Sequence, residues 1–316
     1  MMNGVEYVLL ADIGATNARF ATAKNGIIGP ITTYKVAEFA TLHAALHAFY
    51  RENPSAQPIH HAIIAVAGPV RGGRGALTNA GWVADTEDIR SEFGFKTVLL
   101  NDFAALARSI PLLTARGDVE PVGSSTAESG APIAVLGPGT GLGVACLTPD
   151  SGKHSVITSE GGHTTLAGTC ERDDAIIGVL RARFGHVSAE RAISGAGLEN
   201  LFTAIAAVDG IHTSPLGAAE ITQNAVGGRC QICTDALKTF CAFLGSFAGN
   251  VALTFRATGG VYIAGGISPR IVDFIRNSEF RQRFEAKGRF TQFLQPVPSF
   301  VITHPAATFL GLLSLT

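Results

Sequence analysis

The chain carries no surplus of charge. Its 24 lysines and arginines face 25 aspartates and glutamates, a formal net charge of −1 over 316 residues. That balance leaves no electrostatic footprint for nucleic acid or an anionic membrane, and neither is expected as a partner. Cysteine is scarce and odd in number: Cys146, Cys170, Cys230, Cys233 and Cys241. No disulfide framework is expected from such a set, and the five read as reduced thiols of a cytoplasmic protein. Cys230 and Cys233 form a CxxC, either half of a zinc site or two small apolar residues near a helix start. No further ligands stand nearby at zinc spacing, which favours the apolar reading. Long hydrophobic runs are missing too. The most apolar stretch, Phe240 to Phe255, is shorter than the roughly 20 residues of a bilayer span and contains Ser246 and Asn250. It reads as a buried core helix. The N-terminus lacks a basic region, and its apolar run soon meets Asp12, so no secretory signal is expected.

What is present is apolar material in alternating patterns. Hydrophobic residues make up 47% and charged residues 16%, enough for buried cores in one large or two ordinary domains. Val5 to Ala11 reads as a strand, and Asn17 to Ala23 as its returning partner. Helical spacing follows in "TLHAALHAFYREN", stopped by Pro54, and in "ADTEDIRSEFG", capped by Asp85 or Thr86 and closed by Gly94. "TVLLNDFAALARSI" is a strand that runs through Asn101 and Asp102 into a helix. Strands and helices alternate, so an α/β sheet is expected. The polar stretch from Pro121 to Pro132 is a surface connection near a domain boundary. After it, "IAVLGPGTGLGVACLT" repeats the strand, glycine bend and returning strand of "VLLADIGATNARFATA" without its residue identities.

Three strands end in glycine bends: Gly14 to Thr16, Gly137 to Gly143, and Gly265 with Gly266. Glycine lets backbone approach a ligand closely, and successive N–H groups at such bends form anion-binding concavities. Any one bend can equally be an ordinary turn. All three beside apolar strands, with Asp12 and Thr16 at the first, point to a nucleotide. The common fingerprints fail, however. No GxxxxGK[ST] occurs, and the glycines of "GPGTGLGVA" do not fit GxGxxG.

Together these segments resemble the two phosphate loops and the adenosine loop of the actin-like ATPase superfamily. "LLNDFAALA", "SEGGHTTLA", "HVSAERAISGAGLENL" and "VYIAGGISPR" narrow the resemblance to the bacterial glucokinases of the hexokinase superfamily, over nearly the whole chain and in order. One departure is Ala15, where many relatives have a second glycine. The resemblance implies a two-domain, RNase H-like fold with its active-site cleft between domains. One domain would comprise residues 1–112 with 303–316, and the other residues 113–302. It also implies a cytoplasmic homodimer that phosphorylates glucose at its 6-hydroxyl with ATP and Mg²⁺, the first step of glycolysis.

The implied nucleotide site comprises Ala11, Asp12, Ile13, Gly14, Ala15, Thr16 and Asn17, then Gly137, Gly139, Thr140 and Gly141, then Gly265 and Gly266. Asp12 would hold Mg²⁺ through water, because magnesium keeps much of its hydration. The implied sugar ligands are Asn79, Asn101, Asp102, Glu160, His163 and Glu190. Spacing alone leaves Asp102 open between a helix cap and a catalytic base; the resemblance makes it the base. A hexosamine or mannose kinase of the repressor/ORF/kinase family would carry a cysteine-rich zinc motif after its Gly-His. Here His163 is followed by "TTLAGTCERDD" with Cys170 alone. A filament or chaperone ATPase needs no sugar ligands, and a sugar-sensing transcription factor needs a DNA-binding helix pair or basic stripe that this sequence does not show.

Overall fold

The computed structural model describes residues 7–54, 58–77, 81–123, 127–150 and 152–316. The chain divides into two compact units, Met1–Ala115 with His304–Thr316, and Arg116–Thr303. Each is built on a six-stranded mixed sheet.

In the first unit, Tyr7–Ile13 pairs antiparallel with Asn17–Lys24 and parallel with Ile59–Val66, which in turn pairs parallel with Lys96–Asn101. The central strand is apolar at successive positions because both its faces are covered. Leu9, Ala11 and Ile13 enter a core with Leu42, Phe49, Trp82 and Ile89, whereas Leu10 points to the other side, with Ala105, Phe309 and Leu312. Helices Leu42–Glu52 and Thr86–Phe93 therefore cover one face. Asp102–Ser109 and the C-terminal helix Ala307–Leu313 cover the other. Of the expected caps, Asp85 Oδ1 accepts from Glu87 N–H at 3.0 Å and Gly94 closes the helix at φ +76°; Thr41 Oγ1 also caps the other helix, accepting from Ala44 N–H at 3.1 Å.

The second unit repeats this order. Ile133–Pro138 pairs antiparallel with Leu142–Asp150 and parallel with Val261–Ile263, which pairs parallel with Ser299–Ile302. The repeated hairpin pattern in the sequence is thus a repeated topology. Helix Gln231–Phe255 crosses the core of this unit. It begins nine residues before Phe240, so by length and composition it could cross a membrane. Burial decides against that: 78% of its most apolar window is covered by the rest of the chain.

One expectation is corrected here. Cys230 and Cys233 are paired as a disulfide at the start of this helix, not reduced thiols. The helical turn brings residues three apart onto one side of the cap, and Cys230 Sγ also accepts the Cys233 N–H at 3.2 Å. Cys146, Cys170 and Cys241 are free.

The helix carrying Asp102 rests on the C-terminal helix at Gly311, where an added Cβ would collide with the Ala105 carbonyl. Gly311→Ala is expected to cost about 1–3 kcal/mol by overpacking. Urea unfolding should show the lower midpoint with an unchanged slope.

Candidate active site

In the first unit, the strand Tyr7–Ile13 places Asp12 at its end, buried beside the glycine bend. Gly14 N–H closes the bend on the Asn17 carbonyl at 3.0 Å. Across the hairpin, Asp12 stands opposite Arg19 in register. Arg19 Nε donates to Asp12 Oδ2 at 3.1 Å, and Nη2 completes an ion pair with the same oxygen. Arg19 Nη1 donates to the Pro305 carbonyl at 3.2 Å, and the guanidinium lies over the Phe309 ring. Sequence reasoning missed Arg19. Its signal was positional: residues 12 and 19 are equidistant from the centre of the bend and so face one another. Ala11 and Ile13 have fully buried side chains, which leaves their backbone as the part available to a ligand. Thr16 is exposed, Ala15 is half-buried, and Asn17 Oδ1 accepts from Lys35 Nζ at 2.8 Å.

Asn101 and Asp102 mark the junction of Lys96–Asn101 with Asp102–Ser109. The cap is Asn101, one residue earlier than the cap reading of Asp102 would place it. Its Oδ1 accepts from Phe103 N–H at 3.0 Å and Ala104 N–H at 3.2 Å. Its Nδ2 donates to the Gly68 carbonyl at 3.1 Å and to Asp102 Oδ1 at 3.0 Å. That one amide ties two neighbouring strand ends together and fixes the carboxyl beside it. Asp102 Oδ1 also accepts from Phe103 N–H at 2.9 Å.

Burial pushes the Asp102 carboxyl up to about 7 from 3.8, and the charge of Asp12 adds to the rise. The Phe103 and Asp102 backbone N–H groups and the Asn101 amide oppose it without cancelling it. Desolvation and a like charge both disfavour ionisation, whereas hydrogen bonds to the carboxylate favour it. A carboxyl poised near neutrality is suited to taking up and releasing a proton.

In the second unit, the bend after Ile133–Pro138 closes with Gly139 N–H on the Gly141 carbonyl at 2.8 Å, leaving Thr140 exposed. Gly137 is a buried residue of the strand itself. Gly265 adopts φ +85°, and a Cβ there would strike the Pro138 carbonyl, so only glycine fits. Gly266 is exposed with open space around it. Glu160 precedes the short turn Gly161–His163 and is exposed. His163 Nδ1 lies 4.0 Å from Glu190 Oε1, and Glu190 Oε2 accepts from Leu142 N–H at 2.9 Å. The fold therefore brings together His163, Glu190 and the end of the second glycine bend, which are far apart in sequence. Asn79 lies outside the described residues.

A family profile described as glucokinase matches residues 9–316. The glucokinase of Nitrobacter hamburgensis is 41% identical over 308 residues, covering 97% of this chain and 96% of that protein. The crystal structure of a glucokinase from an Antarctic psychrotroph superposes with a TM-score of 0.84 at 36% identity, over 98% of both chains. A glucokinase of the repressor/ORF/kinase family from Streptomyces griseus, solved with glucose and AMPPNP, gives a TM-score of 0.65 at 17% identity, over 99% of both chains. At that identity it shows a shared fold.

Two outcomes are expected. Between pH 3.8 and about 7 the folded protein keeps a proton on Asp102 that the unfolded chain releases, so this group costs stability as pH rises through that window. Asp102→Asn should match the wild type in stability near pH 4. Above pH 7 it should be more stable, by on the order of 1–4 kcal/mol, as read by denaturant titration at several pH values. Gly265→Ala should lower stability by about 1–3 kcal/mol, measured in the same way.

Proposed function

The chain belongs to the glucokinase family and is a glucose kinase; from that premise we propose that ATP supplies the phosphoryl group, the glucose 6-hydroxyl accepts it, and Asp102 is the general base. The observation that carries the last point is the Asp102 carboxyl itself. Asn101 holds it at a strand end, beside Asp12, with its proton affinity raised to about 7. Once ionised, it takes the proton from the 6-hydroxyl as that oxygen attacks the γ-phosphorus. The proton moves to the carboxylate, the new O–P bond forms, and the bond to the leaving ADP oxygen breaks.

The remaining groups position and neutralise, which is most of what phosphoryl transfer asks of a protein. Glu160, His163 and Glu190 take hydroxyls at the anomeric side of the sugar. Asn101 spends its amide on the Asp102 carboxyl and the neighbouring strand end, so its contribution to the sugar includes fixing the base. Thr16, Thr140 and the bend amides take the phosphates, and Gly265 and Gly266 pass beside adenosine.

Magnesium fits the donor set. Asp12 offers one hard carboxylate at the bend, and among the described residues no group of three His, Cys, Asp or Glu could hold a metal. That suits an ion whose other ligands are water and phosphate oxygens. When bound, Mg²⁺ neutralises charge on the phosphates of the nucleotide. The matching strand order of the two units supports an actin-like ATPase fold, and the family resemblance supports a cytoplasmic homodimer acting in glycolysis.

The reading is tested by ADP release with Mg²⁺-ATP and a panel of glucose, mannose, fructose and N-acetylglucosamine. Glucose-dependent release is expected, with kcat lowered about 10²–10⁴-fold in Asp102→Ala. Because the base works only when ionised, kcat/KM for glucose should rise with pH and level off above about 7. Sugar-independent hydrolysis untouched by the substitution would overturn the proposal.

A further inference from the structure

Leu142 ends the second glycine bend, yet both sides of its peptide are engaged by the segments that carry the sugar ligands. Its N–H donates to Glu190 Oε2 at 2.9 Å. Its carbonyl lies against Gly162, between Glu160 and His163, so closely that a Cβ on Gly162 would collide with it. One residue earlier, a Cβ on Gly141 would stand 2.6 Å from Glu190 Oε2. The bend is braced from the same side by Gly195 N–H, which donates to the Gly139 carbonyl at 2.9 Å. Ser194 Oγ in turn donates to the Glu190 carbonyl at 2.8 Å. Gly141 is not among the residues at positive φ, so its lack of a side chain answers to Glu190 and not to backbone conformation.

We infer that Gly141 and the Leu142 amide, part of the nucleotide loop, are positioning residues for the hexose: they fix the Glu190 carboxylate, and through it the spacing to His163. The inference rests on the proposed role of Glu190 and His163 as sugar ligands, and it gives residues of the phosphate loop a second task toward the hexose, exerted through Glu190. The Leu142 N–H satisfies one carboxylate oxygen and leaves the other facing His163 at 4.0 Å. A methyl group at position 141 stands 2.6 Å from the anchored oxygen, too close for contact, so the carboxylate must shift. Glucose then meets a displaced acceptor. Since binding linkage is reciprocal, the same contact lets hexose binding tighten the loop that takes the phosphates.

The test is calorimetric titration of glucose into the protein without nucleotide, for the wild type, Gly141→Ala and Gly139→Ala. A Cβ at Gly139 meets nothing within 4 Å, so this variant adds a methyl to the same loop without touching Glu190. Gly141→Ala is expected to weaken glucose binding at least about tenfold, the worth of one lost charge-assisted hydrogen bond. Gly139→Ala should bind glucose more than about fivefold more tightly than Gly141→Ala. Equal glucose affinity in Gly141→Ala and the wild type would overturn the inference and leave the kinase reading intact. A wild type that binds no glucose would overturn both.

A second measurement does not depend on Gly141→Ala folding. Amide exchange at Leu142 should slow when glucose is added. It should stay slow in Glu190→Gln, whose amide oxygen still accepts the N–H, and become fast in Glu190→Asp, which is too short to reach. Exchange that is the same in Glu190→Gln and Glu190→Asp would contradict the anchoring.

Discussion

A single half-buried carboxyl group, Asp102, feels the charge of a second one, Asp12, and the chemistry assigned to this protein depends on that electrostatic coupling. Two like charges in a desolvated place do not both ionise readily. Here Asp12 is paired with Arg19, and Asp102 is the carboxyl whose proton affinity rises. The fold maintains the arrangement from several sides. Asn101 caps the helix and holds the carboxyl, and the Gly68 carbonyl holds Asn101. The C-terminal helix packs under Asp102–Ser109, and the Pro305 carbonyl receives Arg19. Residues from five separate parts of the chain thus fix the ionisation of one group.

The other recurring device is the close passage of backbones. Gly141, Gly162 and Gly265 each stand where a methyl group would meet a neighbouring segment, and each belongs to a bend assigned to a substrate. Removing a side chain there allows strand ends, bends and short helical turns to share hydrogen bonds instead of being held apart by side chains. The consequence is that second-unit groups assigned to sugar and to phosphate are not independent: Leu142 is engaged by Glu190 on one side and by Gly162 on the other.

Much of this was legible in the sequence because it rests on local rules. The hairpin at Asp12, the caps at Asp85 and Gly94, the strand running into the Asp102 helix, and the repeated strand–bend–strand pattern all follow from periodicity and turn chemistry. The missed features depend on pairing or packing. Arg19 matters because cross-strand register sets it opposite Asp12, and register is a property of two strands. That Asn101 caps the helix and holds the Asp102 carboxyl and the Gly68 carbonyl with one amide depends on how two strand ends meet. The Cys230–Cys233 pair depends on how the helix start is wound, and the role of Gly141 depends on a glutamate 49 residues away. The core-helix reading of Phe240 to Phe255 is borne out by burial, although the helix starts earlier, at Gln231, and reaches a length the run alone did not show.

The central claim is that Asp102 is a carboxyl group tuned to neutrality by its surroundings. The most direct measurement is a pH titration of that group alone, following the ¹³C carboxyl resonance of labelled wild-type protein, assigned by its loss in Asp102→Asn. A midpoint near 7 is the result this account requires. A midpoint near 4, the ordinary value for an aspartate in water, would contradict it.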